Sequence, residues 1–180
     1  MQTVIEELLR ETKREGIEDL IIALDKGGFY KAPSSTKFHL CKKGGLAIHS
    51  YNVYKLAKGV KSGLESDVPD ESITIAALLH DVGKMGGHGK ALYIPNILKA
   101  GNQSEKEPYK TNGELAYIDH AIRSAIIVSE YIQLTEEEEF AIIYHNGLYN
   151  KVGYDLTGKE RPLQMIIHWA DMWASRVKED

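Results

Sequence analysis

The fold is decided by the stretch Ile73-Thr-Ile-Ala-Ala-Leu-Leu-His80-Asp81-Val-Gly-Lys84, in which an almost wholly apolar run meets a histidine and an aspartate. A helix that is apolar all round is buried on every side. Pro69-Asp70-Glu71 precedes the run, and Asp70 is predicted to cap the N-terminus of the helix. Gly83 is predicted to end it. The sequence therefore predicts a central buried helix that ends in two polar side chains.

Helical spacing of apolar residues recurs on both sides of this segment, and glycine or asparagine marks several of the ends. The predicted helices cover 2–15, 17–26, 45–63, 119–132, 135–145 and a last segment that begins at Pro162. Residues 29–42 and 148–161 are predicted to be irregular. The pattern predicts a single all-α domain, a bundle of about six or seven helices. Residues 1–28 would form its N-terminal helices and residues 29–178 its core.

Residues 85–118 are the least regular part of the core, because glycines and prolines are interspersed through them. The apolar residues at 91–94 and the stretch near Tyr109 are predicted to pair as a small β-hairpin near 90–112. An insertion of this length inside a compact domain is usually functional. We therefore predict that it forms a lid or a binding loop.

The composition is that of an ordinary soluble globular protein, with 180 residues of which 43% are hydrophobic and 27% charged. The formal net charge of −4 argues against a polyanion-binding surface over the whole protein. Cys41 is the only cysteine, so no intrachain disulfide forms. The N-terminus has no signal-peptide pattern, and no stretch approaches about 18 apolar residues. These features predict a cytoplasmic protein without a membrane span.

Five polar residues occupy positions where the helical pattern calls for apolar ones. His49 interrupts an apolar stripe, His80 and Asp81 end a buried helix, His145 ends another, and Asp171 borders the core face of the last helix. Each residue alone has a structural interpretation, as a hydrogen-bonded core histidine, a solvated aspartate or a group at a helix end. Together they favour a metal site, because a cation removes the cost of burying a carboxylate.

Three segments in order resemble one known family. Leu78-Leu-His80-Asp81-Val-Gly-Lys84 resembles the signature of the HD-domain phosphohydrolase superfamily. Gly44-Gly-Leu-Ala-Ile-His49-Ser50 and Trp169-Ala-Asp171-Met172 are similar to the segments that supply its first histidine and its last aspartate. The resemblance covers roughly residues 30–178. It implies that His49, His80, Asp81 and Asp171 hold a catalytic divalent cation.

The resemblance also implies a second ion in some members. His120 and His145 fall where those members carry two further histidines, and Asp81 would then bridge the two ions. Whether one ion or two are bound stays open, since His120 has an alternative role as a helix cap that contacts substrate phosphate. Histidine and aspartate accept several divalent ions, so Mn, Fe, Ni, Co, Zn and Mg all stay open.

The same resemblance suggests Asp81 and Lys84 as the catalytic residues, with Lys84 as a phosphate contact or proton donor. The alternative role for Lys84 is structural, as a positive charge that interacts favourably with the negative end of a helix dipole. Arg123, His39 and Lys37 are further candidates for substrate binding. Solvated or loop residues without a role are the alternatives for these three.

The function predicted is hydrolysis of a phosphate ester by metal-activated water, the substrate being a nucleotide or a related phosphomonoester or phosphodiester. Two alternatives stay open: a di-iron oxygenase of the same fold, and a non-catalytic nucleotide-binding module. The expected partner is a small-molecule substrate, with nucleic acid only as a short single strand and no membrane. Oligomeric state is not readable from the sequence.

Overall fold

The computed structural model describes residues 1–179, and in this part of the chain seven α-helices follow one another. They are α1 (Gln2–Glu11), α2 (Ile17–Gly27), α3 (Gly45–Gly63), α4 (Asp70–Leu79), α5 (His120–Ser129), α6 (Glu136–Ile143) and α7 (Pro162–Trp173). Short 3-10 turns follow α4 and α6, and a π turn (Ala174–Lys178) extends α7. The predicted mainly-α fold is confirmed. None of the described helices combines the length and the apolar character that crossing a membrane requires.

The helix α4 lies at the centre of the bundle. Every residue from 72 to 79 is buried, and α1, α3, α6 and α7 each pack against this helix. Ile73, Leu78 and Leu79 are fully buried, and burial of each such side chain contributes roughly 1.5–3 kcal/mol. Because the helix is enclosed along its length, His80 and Asp81, which follow it directly, also lie in the interior.

The chain leaves the α-helical conformation just where the polar pair begins. His80 is the C-cap of α4, and Asp81 has φ −109° and ψ 8°, a bridge-region conformation that is common at active sites. A 3-10 turn (Val82–Met85) follows and packs against α5. A Cβ atom on Gly83 would lie 2.2 Å from the carbonyl oxygen of His120, so only glycine permits this close approach. The turn therefore brings Asp81 next to the start of α5.

The insertion contains the predicted hairpin. Strands β1 (Tyr93–Pro95) and β2 (Tyr109–Thr111) pair antiparallel, with Tyr93 opposite Thr111. The backbone N–H of Tyr109 donates to the carbonyl of Thr36, which ties the hairpin to the irregular segment before α3. The insertion is thereby fixed against the core beside the start of α5.

One prediction about a helix end is wrong. Pro69, and not Asp70, is the N-cap of α4, because the Asp70 carboxylate instead forms ion pairs with Lys58 and Lys61 on α3. On α5, Ile122 and Ile126 are exposed. The 3-10 turn after α4 packs closely on α5 at Gly83, and the buried residues of the helix are Ala121, Arg123, Ser124, Ala125 and Val128.

Candidate metal centre

Five helices, α3 to α7, bring the histidines and aspartates of the candidate site together. His49 lies in the middle of α3, Asp81 between α4 and its 3-10 turn, and Asp171 on α7. The remaining members are His80 at the end of α4, His120 at the start of α5 and His145 after the end of α6. Of these six residues, His49, His80, Asp81 and His145 have side chains that are at most 1% exposed.

One side of the cluster surrounds the Oδ2 atom of Asp81. This oxygen lies 3.4 Å from Nε2 of His49 and 3.5 Å from Nε2 of His80. Nε2 of His49 also lies 3.1 Å from Oδ1 of Asp171. His49, His80 and Asp171 each offer one ligand atom within 4.8 Å of the other two. These four residues are the set that the sequence predicted for a first cation.

The other side of the cluster surrounds Oδ1 of the same carboxylate. Nε2 of His120 lies 3.4 Å from Asp81 Oδ1, and Nε2 of His145 lies 3.6 Å from it. His80, Asp81 and His145 offer ligand atoms within 4.8 Å of one another, whereas His120 lies outside that group. The amide Nδ2 of Asn146 lies 2.8 Å from Nε2 of His145 and 3.2 Å from Nε2 of His120. Asp81 thus has one oxygen on each side, as a bridging carboxylate would.

Backbone carbonyls fix the tautomer of two of these histidines. Nδ1 of His80 lies 2.9 Å from the carbonyl oxygen of Ala77, and Nδ1 of His145 lies 2.8 Å from that of Ile142. A carbonyl oxygen only accepts, so each Nδ1 carries the hydrogen and donates it. The lone pair of each neutral ring is therefore on Nε2, on the side of Asp81. This is the arrangement that a metal-binding histidine requires.

The electrostatics of the cluster keep the two histidines of the second side neutral. Burial lowers the pKa of His145 to about 3, and the neighbouring His80 adds to this effect. Burial, followed by the charge of Lys84, also lowers the pKa of His120. A neutral imidazole retains the lone pair that a cation needs.

The carboxylates remain ionised although they are enclosed. Burial would raise the pKa of Asp81, but the charge of Lys84, 2.6 Å from Oδ2, holds it well below its usual range. Burial likewise opposes the ionised form of Asp171, and the hydrogen bond with His49 outweighs it and lowers the pKa of that carboxyl. For His49, burial is outweighed by hydrogen bonds with Asp171 and Glu179, which raise its pKa to about 9. A cation at this side would displace the proton that Nε2 of His49 holds.

The Asp81 carboxylate itself indicates that a cation fits. Its Oδ1 atom is buried and accepts no hydrogen bond from any residue in the range 1–179. An unsatisfied buried acceptor costs roughly 1–3 kcal/mol, and more when it is charged. Nitrogen and carboxylate ligands without a thiolate suit first-row divalent ions and Mg²⁺.

A family model described as HD domain matches residues 46–172, well over half of the chain. The chain belongs to the HD-domain family. Members of this family are typically metal-dependent phosphohydrolases that bind divalent metals, and a buried histidine–aspartate cluster that could hold a metal ion is present in this HD domain. Searches of curated proteins and of solved structures found no match to the chain.

A cavity of about 340 Å³ opens beside the first side of the cluster. Lys84, Asp171 and His39 line it, together with Arg176 from the π turn after α7. The ring of His39 lies 4.9 Å from that of His49, and burial, followed by the charge of His49, lowers the pKa of His39 to about 4. Two of the predicted substrate-binding residues, Lys84 and His39, therefore face the cavity next to the cluster.

The other two predicted substrate-binding residues lie elsewhere. Lys37 is exposed, and its ammonium lies 3.7 Å from the Glu107 carboxylate of the insertion. Arg123 is buried beneath the insertion, where its guanidinium donates to the carbonyl of Ala116. Neither residue lines the cavity that contains Lys84.

Sequence reasoning missed several residues at the site. Asn146 was predicted only to end a helix, although it lies between two candidate ligands. Arg176 and Glu179 lie beyond Asp171, the last predicted ligand, and charged residues near the end of a helix carry no pattern that distinguishes them from solvated ones. Only the contact of the π turn with α3 places them at the cluster. For Asn146, its position directly after a candidate ligand histidine was a usable signal.

Proposed function

We propose that this HD domain is a metal-dependent phosphohydrolase that hydrolyses a phosphate ester, specifically a nucleotide or a related phosphomonoester or phosphodiester. The observation that carries the proposal is the position of Asp81, whose two oxygens face His49 and His80 on one side and His120 and His145 on the other. Such a carboxylate suits a pair of cations, as in the two-metal sites that act on phosphate esters.

The residues of the chain have distinct tasks in this reaction. When bound, divalent cations lower the pKa of water and polarise the oxygens of a phosphoryl group. The histidines and aspartates present their ligand atoms from rigid helices, so little reorganisation is needed when the site is loaded. Hydrolysis joins the oxygen of water to phosphorus and breaks the bond to the ester oxygen, which takes up a proton. Lys84 lies beside Asp81 at the cavity wall, where its ammonium can bind a phosphoryl oxygen and stabilise the charge that develops there.

A second cavity supports a nucleotide as the substrate. It measures about 360 Å³, adjoins His120 and Asp119, and is lined on its other sides by the insertion. Leu92, Tyr93 and Leu115 give it an apolar and aromatic wall, which suits a nucleobase or another planar group. The insertion would then act as the substrate-binding loop, while phosphate lies at the cluster.

A metal and substrate screen tests the proposal. Purified protein is stripped of metal, reloaded separately with Mn²⁺, Co²⁺, Ni²⁺ and Mg²⁺, and incubated with nucleoside monophosphates and cyclic nucleotides while phosphate and nucleoside release are measured. We expect release with at least one ion and none from the Asp81→Asn variant, which keeps the shape of the side chain. Metal binding without release from any of these substrates would contradict the proposal. Oxygen consumption by an iron-loaded, coloured protein would instead indicate the di-iron oxygenase.

A further inference from the structure

A carboxylate outside the predicted ligand set contacts the first ligand histidine. Glu179 follows the π turn, and its Oε2 atom lies 2.9 Å from Nδ1 of His49. The side chain of Glu179 is only 1% exposed. Its second oxygen, Oε1, accepts a hydrogen bond of 2.9 Å from Nδ2 of Asn52, one turn further along α3. Both oxygens of this enclosed carboxylate therefore have partners on α3.

The segment that carries Glu179 also carries a candidate metal ligand. Asp171 on α7 contacts Nε2 of His49, while Glu179 contacts Nδ1 of the same ring. The π turn between them is closed by a hydrogen bond from the Glu179 N–H to the carbonyl of Ala174. One continuous piece of chain thus holds both nitrogens of His49, and π turns within helices are frequent at functional sites.

We propose that Glu179, held by Asn52, is a positioning residue for His49 in the metal centre. It accepts the hydrogen from Nδ1, so the ring is fixed with Nε2 toward Asp81 and Asp171, and its charge increases the basicity of Nε2 as a ligand. His80 and His145 use uncharged backbone carbonyls for the same purpose. Of these three histidines, His49 is the one whose Nδ1 has a carboxylate as its partner, and we therefore expect it to bind the cation most strongly. The inference rests on the proposed metal centre.

A competing arrangement is a cation held by Glu179 itself. His39, His49 and Glu179 also offer ligand atoms within 4.8 Å of one another. The distance of 2.9 Å from Nδ1 to Oε2 is that of a hydrogen bond, and a cation held there would have to displace the hydrogen. The other oxygen of Glu179, Oε1, already accepts a hydrogen bond from Asn52. These contacts favour a positioning role over a further metal site.

Metal titration distinguishes the two arrangements. Mn²⁺ and Co²⁺ are titrated into metal-free protein by calorimetry, and the absorption spectrum of bound Co²⁺ is recorded. For Glu179→Gln we expect the metal Kd of the site that contains His49 to rise about 10- to 100-fold at unchanged stoichiometry, because partners of ligand histidines carry effects of this size. Asn52→Ala should produce a smaller rise, and the effects of Asn52→Ala and Glu179→Gln should not add, since both act through one hydrogen-bonded path. Val177→Ala, an exposed change on the same turn, is the matched control.

The outcomes separate this inference from the proposed function. If the wild-type protein and Asp81→Asn bind metal equally, the metal centre itself is refuted. If Asp81→Asn loses binding but Glu179→Gln keeps wild-type affinity, only the positioning role is refuted. A loss of one ion per chain in both Glu179→Gln and His39→Ala, without a change in affinity at the remaining site, would replace it by the competing arrangement. Asn52→Ala is the second variant should Glu179→Gln fail to fold, and wild-type metal affinity in it would also overturn the inference.

Discussion

Replacing Asp81 by asparagine tests the centre most directly, because the change keeps the shape of the side chain and removes its charge. Asp81 is 1% exposed and lies within 3.6 Å of four histidines that contact it from two sides. An amide has one oxygen instead of two, so it cannot serve both sides as an acceptor. Because the charge that is lost faces both sides, Asp81→Asn should weaken metal binding at both halves of the cluster and not at one alone.

The expected size follows from linkage. Free Mn²⁺ at a thousand times its Kd stabilises a protein by about 4 kcal/mol. Loss of one partner of a buried charge pair costs about 2–5 kcal/mol. A loss of about 4 kcal/mol in the free energy of Mn²⁺ binding raises Kd roughly a thousandfold. At the same ion concentration, Mn²⁺ would then stabilise the variant by only about 0.4 kcal/mol. Without metal, the free energy of unfolding of the variant should also fall by about 2 kcal/mol, because Lys84 loses its ion pair with the carboxylate at 2.6 Å. The loss is limited because the Lys84 side chain can move into the cavity that it lines.

Urea unfolding monitored by far-ultraviolet circular dichroism measures the stability without metal when it is done in chelator, and the added stability from metal when it is done in excess Mn²⁺. Asp67→Asn, the same change at an exposed position, is the control and should behave as the wild-type protein does. An Asp81→Asn protein that Mn²⁺ stabilises as much as the wild type would refute the bridging role. Equal stability of the two proteins in chelator would refute the inferred pairing with Lys84.

Three further changes address stability and catalysis. Glu138→Ala removes the buried partner of Arg14 and of the α6 capping box, so unfolding should become easier by about 2–4 kcal/mol. Burial would raise the pKa of Glu138, but the hydrogen bond with Arg14 outweighs it and lowers that pKa. In urea titrations, the difference in free energy of unfolding between variant and wild type should therefore persist above the ordinary pKa of 4.5 and shrink as the pH falls below it. Gly83→Ala forces a Cβ to within 2.2 Å of the His120 carbonyl, so spectroscopy should show a changed Co²⁺ site or unfolded protein, and a wild-type spectrum would contradict the packing. Lys84→Met should lower kcat for phosphate release about a hundredfold while metal content, measured by elemental analysis, stays unchanged.

The sequence predicted the fold closely where one physical rule dominated. The run from Ile73 to Leu79 is enclosed because it is almost wholly apolar, and Thr135 begins the helix predicted over 135–145 as the N-cap of α6. The apolar pattern does not reveal which face of α5 is buried, since Ile122 and Ile126 are exposed. There the 3-10 turn packs against α5 through Gly83, and hydrophobicity alone does not reveal that close approach.

The candidate site divides in a similar way. Residues that interrupt an apolar pattern, such as His49 and the pair at 80–81, could be identified without coordinates, since burial of a polar group requires a reason. Arg123 could not be placed, because a long side chain can extend in several directions from its helix. It is buried and bonded to the Ala116 carbonyl instead of lining the cavity next to the cluster.

By itself, the sequence determined the helices, the family and the polar residues that must be enclosed, because periodicity and the cost of burial act along the chain. Only the tertiary structure decided that the two oxygens of Asp81 face different histidines, that Asn146 lies between His120 and His145, and that Glu179 returns to His49. These contacts join residues far apart in sequence, and their distances depend on how helices pack. Packing is set by the whole core at once, and no local stretch of sequence encodes it.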